Sequence, residues 1–214
     1  MEARQDAKEP WSLSLDHEFQ QSDSYAMARG KKARSSLKTY VALLRGINLG
    51  ARNKVSMQDL RALFADLGAE DVATYVQSGN VVFRSTDSAG RLTEAIEKRI
   101  RRDLGLEVTV LVRTQPQLAK LLAANPFADR VSDPTKLHVT FLADKPDQAR
   151  VRKLDPTLSE PDEFRVVRQE VYLHCPNGYG RSKLSNAYFE KQLDVRATTR
   201  NWRTVTKLAE LAGA

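Results

Sequence analysis

Between residues 39 and 211, apolar residues recur in a pattern that reads strand, helix, strand, strand, helix, strand, and the same order then comes round a second time. Residues 40–44 (YVALL) read as a buried strand. Ser56 and Asp59 have capping-box spacing with an acidic variant at the last position, and Leu60, Leu63, Phe64 and Leu67 follow at helical intervals before Gly68. Residues 72–76 and 80–83 flank Ser78 and Gly79, a hairpin signal. A charged helix over 88–104 closes at Gly105, and a strand follows at 108–112. A helix at 116–123 and two turn-prone X-Pro pairs at 125–126 and 133–134 lead into the second series. That series has a strand at 137–142, a helix at 147–154, a hairpin of 164–167 with 171–174, a helix at 182–192, a short strand near Val195 and a final helix at 201–211.

Two runs of this order predict an α+β fold of two ferredoxin-like (βαββαβ) lobes in tandem plus a C-terminal helix. The first lobe is expected over 39–113, a connecting helix and linker over 114–135, and the second lobe with the last helix over 136–214. The halves share no residue-level repeat, so the duplication is expected in architecture alone. Residues 1–38 lack any apolar period and end in the basic cluster at 30–38, which predicts a disordered extension. Met27 is a candidate for the true translation start.

Composition narrows the class. No apolar run reaches the roughly 18 residues of a membrane helix, and no apolar segment before Tyr40 supplies the core of a secretory signal. The single cysteine, Cys175, excludes an intramolecular disulfide, which favours a reducing, cytoplasmic setting. The net charge of +7 arises from 34 basic and 27 acidic residues spread along the chain, a bias too diffuse to mark a dedicated nucleic-acid module.

Four polar segments carry the chemistry: residues 45–54 (RGINLGARNK), 77–80 (QSGN), 178–183 (GYGRSK) and 198–201 (TTRN). In a split βαβ unit the loop leaving strand one and the hairpin after strand two lie at one end of the sheet, which gathers the first two segments. The loops after strands three and four of the second lobe share the opposite end, which gathers the other two. Lobes packed with those ends facing would line one cleft. The first turns of helices leave N–H groups unpaired and carry partial positive charge, so small residues with Arg or Lys there can hold phosphate or carboxylate. The candidate ligand-binding residues are Arg45, Asn48, Lys54, Gln77, Asn80, Arg181, Ser182, Lys183, Thr199, Arg200 and Asn201. Ser182 is the candidate cap of the helix after it, and Thr199 or Asn201 that of the last helix. The plainer alternative is that Gly46, Gly50 and Gly180 permit turns while Ser182 and Thr199 only cap helices. Likewise Gln77 and Asn80 can bond their own hairpin, and Trp202 can anchor the last helix.

Neither a zinc site nor a cofactor motif is indicated. His17 lies in the N-terminal extension, and His138 and His174 fall in expected strands without a partner at metal spacing. Cys175 reads as a packed strand residue. Glu94 with Glu97, and Asp162 with Glu163, read as solvated charges. The aromatic signature of RNA-recognition modules is absent from residues 80–84. No general-base constellation stands out, so whether the chain is an enzyme stays open.

The stretches YVALLRGIN (40–48), YVQSGNVVF (75–83), GRSKL (180–184), TTRNW (198–202) and TVTKL (204–208) resemble a bacterial family catalogued as domain of unknown function 1697, over residues 39–211. The resemblance implies a compact α+β cytosolic protein of unassigned activity. It places Arg45, Asn48, Gln77, Asn80, Arg181, Lys183, Arg200 and Asn201 on the family's polar motifs.

Three functions are compatible with these residues. One is a protein that binds an anionic partner, a phosphorylated small molecule or nucleic acid, in a cleft between lobes. Another is a phosphoester or acyl-phosphate hydrolase, with Arg45 and Asn80 in the phosphate-cradling and water-orienting roles of the acylphosphatases, which share the ferredoxin-like fold. The third is a non-catalytic interaction module whose polar loops merely cap and turn.

Overall fold

The structure, a computed structural model, describes residues 36–48 and 53–214. The expectations for residues 1–35, Met27 and His17 among them, and for Gly50 lie outside the described residues. Among these, the chain forms two four-stranded antiparallel sheets and six α-helices. Among the described residues, no helix is long and apolar enough to cross a membrane.

The first sheet holds β1 (Lys38–Leu44), β2 (Glu70–Tyr75), β3 (Asn80–Ser85) and β4 (Val110–Thr114), in the order β2-β3-β1-β4. Helices α1 (Met57–Asp66) and α2 (Ala89–Leu104) join its strands. Ser56 caps α1 by accepting the Asp59 N–H, Ser88 caps α2, and Gly105 ends α2 in a left-handed conformation. Helix α3 (Gln115–Ala123) leaves β4 without a loop, since Thr114 and Gln117 form a reciprocal capping box. The second sheet repeats the arrangement with β5 (Leu137–Leu142), β6 (Glu163–Val167), β7 (Glu170–His174) and β8 (Ala197–Asn201), in the order β6-β7-β5-β8. Its helices are α4 (Gln148–Val151), α5 (Asn186–Leu193) and α6 (Trp202–Leu211).

Side-chain alternation divides the core into three. One face of the first sheet buries Ala42, Leu44, Val81 and Phe83 under Leu60, Phe64 and Ile96 of α1 and α2. One face of the second sheet buries Leu142, Val171 and Leu173 under Phe189 and Leu193 of α5. The other faces meet across a shared core, where Val41, Leu43, Val82 and Leu111 join Val139, Phe141 and Tyr172, with Leu118 and Leu121 of α3 and Val205 and Leu208 of α6. Each buried aliphatic or aromatic side chain there contributes about 1.5–3 kcal/mol. The segment read as a connecting helix therefore supplies core to both sheets.

Three expectations need correction. Residues 198–201 are not a loop after a strand near Val195; they are the body of β8. Both faces of this strand are rich in polar groups that find partners, so it has no apolar alternation to read. The helix expected from residue 182 begins at Asn186 and is capped by Ser185, while Ser182 follows the short 3-10 turn Tyr179–Arg181 and its hydroxyl oxygen accepts the Leu184 N–H. Thr199 caps nothing; the last helix is capped by Asn201, which accepts the Arg203 N–H.

Candidate functional site

Register makes the two sheets equivalent position by position. Val41 of β1 faces Arg113 of β4, and Val139 of β5 faces Arg200 of β8. Leu43 faces Asn80, and Phe141 faces Glu170. Arg113 and Arg200 thus hold the same place in their sheets, as do Asn80 and Glu170, and each arginine reaches across the seam to the opposite sheet. Arg113 Nη2 donates to the Leu142 carbonyl at 2.6 Å, and Arg200 Nη2 donates to the Leu44 carbonyl at 2.8 Å; each acceptor ends its sheet's first strand. Arg113 Nε donates to Glu170 at 3.3 Å and Arg200 Nε to Asn80 Oδ1 at 2.6 Å. The flanking glutamates match as well. Glu97 of α2 accepts the Val110 N–H and pairs with Arg196, whereas Glu190 of α5 accepts the Ala197 N–H and pairs with Arg45. A residue-level correspondence therefore exists, against expectation, but in register and bonding rather than in identities. Glu97, read as a solvated charge, is one of its anchors.

At the Arg200 end, six of the sequence candidates come together. Arg200 directs its remaining N–H groups to Thr198 Oγ1, the Thr199 carbonyl and the Ser78 carbonyl, so all five donors meet neutral oxygens. Although Arg200 as a whole is only half-buried, its guanidinium is ringed by protein, and loss of water pushes its pKa down to about 10. Arg113, 4% exposed, is likewise lowered by desolvation, but the Glu170 carboxylate opposes the shift. Asn80 is fully buried, and its amide donates to the Tyr75 carbonyl and Ser78 Oγ. The hairpin carrying it fits only with glycine at 79, where φ is +76° and a Cβ would stand 2.8 Å from Leu44 Cβ. Asn48, at φ +54°, clasps the loop after β1: its amide donates to the carbonyls of Val55 and Gln77 and its oxygen accepts the Val55 N–H. The Gln77 side chain is exposed. Thr199 Oγ1 joins the Thr140 and Tyr179 hydroxyls and donates to Asn186 Oδ1 in one hydrogen-bond network.

The other candidates are not part of this cluster. Arg181 and Lys183 are exposed on the turn after β7, and Lys54 is exposed after the β1 loop; none has a side-chain partner among the described residues. Ser182 faces Ser159, with which Arg181 borders a recess of about 170 Å³. Asn201 is engaged at the cap of α6 and with the Thr135 carbonyl.

The cleft expected to gather all four segments lies elsewhere. A cleft of about 400 Å³ opens at the Arg113 end, and none of the eleven candidates lines it. Its walls are residues 110–113 of β4, with Glu94, Glu97, Gln117, Asp144, Gln169 and Arg196 around them. Sequence reasoning missed these because they sit on separate elements in no local motif; the one available signal was the shared placement of Arg113 and Arg200 directly before helix caps.

No curated protein matches the chain. Its fold is similar to the solved structure of the conserved bacterial protein SP0830 from Streptococcus pneumoniae, with a TM-score of 0.65 and 25% identity over 83% of this chain and 99% of that one. A family model described as protein of unknown function (DUF1697) matches residues 37–172, more than half of the sequence, and the chain belongs to that family.

Proposed function

We propose that each sheet with its helices is a ferredoxin-like lobe, and that the chain binds an anionic, phosphorylated ligand, a nucleotide or nucleic acid included, at the Arg200 end of the seam. The observation behind this reading is a charge without a counter-charge. Arg200 is bonded only to neutral oxygens, and the neighbouring Glu190 is already paired with Arg45. Further exposed cations, Lys54, Arg181 and Lys183, stand on turns outside that cluster, Arg181 beside Glu160 and Asp162, and in this reading they extend the positive potential. In this reading the ligand touches those three and Arg45, which exchanges Glu190 for it. Arg200 contributes field rather than contact because its donors are all engaged.

Thermal shift with pyrophosphate, ADP and a short oligonucleotide tests the reading. At a hundredfold excess over Kd, binding stabilises by about 2.7 kcal/mol, a rise of roughly 5–10 °C for a chain of this size. The rise should shrink at high salt and vanish in an Arg181→Ala/Lys183→Ala variant. No shift with any of the three ligands would sink the proposal.

The hydrolase reading loses support at Asn80, whose amide is buried and fully engaged, leaving nothing to orient a water. The reading as a non-catalytic interaction module gains it from Asn48, Thr199 and Asn201, all taken up by turns, caps and strand contacts. On that reading Arg45→Ala and Arg181→Ala alter stability and no ligand affinity.

A further inference from the structure

We propose that the cleft at the Arg113 end is a separate binding site, which receives a short basic peptide as an added strand on the free edge of β4. The edge is available because β4 is the outermost strand of its sheet. The ladder fixes which groups point outward. Arg45 N–H donates to the Thr109 carbonyl, and in an antiparallel pair bonded and non-bonded positions alternate. Thr109, Leu111 and Arg113 therefore bond inward to β1, and Val110, Val112 and Thr114 turn away from it. Glu97 takes the Val110 N–H and Gln117 takes the Thr114 N–H. The Val112 carbonyl accepts Arg113 Nη1 at 3.3 Å, which leaves the Val112 N–H and the Val110 carbonyl without a partner among the described residues, and both residues line the cleft. A donor and an acceptor left open on one strand edge are the groups that a peptide backbone completes.

Charge selects the kind of peptide. The two cations in the lining are committed, Arg113 to Glu170 and Arg196 to Glu97. Glu94 and Asp144 line the same cleft and have neither an ion pair nor a hydrogen bond among the described residues; Asp144 acts on Arg113 only at longer range, and Arg113 is already paired with Glu170, so the cleft keeps an excess of negative charge toward an occupant. An amino terminus or a lysine or arginine side chain complements them. The amide side chain of Gln169 lines the cleft without a partner of its own among the described residues, and the volume of about 400 Å³ suits a few extended residues. This site is independent of the anion site proposed above, because it shares no residue with it and has the opposite sign of free charge.

Fluorescence anisotropy on the full chain with a labelled pentapeptide of alternating lysine and valine decides the matter. Saturable binding is expected, weakened about tenfold or more in Glu94→Gln/Asp144→Asn and unchanged in Lys183→Ala. The same peptide N-methylated along its backbone should bind at least about tenfold more weakly, since it cannot complete a strand ladder. Both protein substitutions are at exposed residues, and an unchanged Tm confirms the fold. The proposal is overturned by absence of saturation at millimolar peptide, by equal affinity for the N-methylated peptide, by an unaffected double variant, or by equal competition from spermidine, a cation without a backbone.

Discussion

The two ends of the seam share a frame and differ in one partner. At both, an arginine from a fourth strand crosses to the last carbonyl of the opposite first strand. At one end its Nε meets a carboxylate, Glu170; at the other it meets an amide, Asn80. The frame follows from strand register. The charge left over follows from a single position at the start of the third strand, and it sets the sign of each end. A buried guanidinium loses solvation at both sites, which a carboxylate offsets by attraction and five neutral oxygens offset by hydrogen bonds.

The most severe way to break this comparison is to remove each arginine in turn. Arg113→Ala leaves Glu170, only 12% exposed, as a buried charge without its partner, and should lower stability by about 3–5 kcal/mol in urea unfolding. Arg200→Ala leaves only neutral acceptors behind and should cost less, about 2–3 kcal/mol. An equal or larger loss for Arg200→Ala would show that the counter-charge has no bearing on the difference. A milder change, Glu170→Gln, makes the Arg113 end resemble the other. It should cost about 1–2 kcal/mol, read as a lower urea midpoint at an unchanged slope.

The smallest effect concerns the first strands, where His138 stands in the place of Tyr40. Tyr40 donates to the Asp87 carbonyl, and burial pushes its pKa up, away from the neutral range. His138 stacks on Tyr179 at 4.8 Å, and its Nδ1 is enclosed without a well-formed hydrogen bond. Burial lowers its pKa below the ordinary 6.5, an effect only partly opposed by the Lys136 backbone. The unfolded imidazole then takes a proton first as pH falls, so stability is whole above 6.5 and erodes below it. Tm measured from pH 7.5 to 5 should flatten in His138→Phe and keep its slope in Tyr40→Phe.

Most of the elements were legible because their signals are local. Ser56, Ser88 and Gly105 mark helix ends through their own backbone, and the hairpin at 78–79 announces itself. Strand β8 escapes because Arg200 is satisfied across the seam by Asn80 and the Leu44 carbonyl, contacts that no window of sequence contains. Ser182 misled for a related reason: its hydroxyl serves a tight turn, three residues before the true cap at Ser185. Of the candidate site, the sequence leads to one cleft lined by all four segments, whereas the structure brings Arg45, Asn80 and Arg200 to one end of the seam, with Glu190 meeting Arg45 and protein oxygens occupying Arg200. Motif chemistry identifies donors; it does not say which acceptors the rest of the chain will bring.

A seam in which residue i of one half meets j of the other, and j meets i, is the geometry of an isologous pair. Here the pair is covalent, with α3 and residues 124–136 as tether, so the halves stay at a constant effective concentration. Separate subunits encoded by one sequence must change both copies of a contact together. A tethered pair is released from that rule, which is what lets Asn80 and Glu170 diverge and gives a twofold frame two unlike faces.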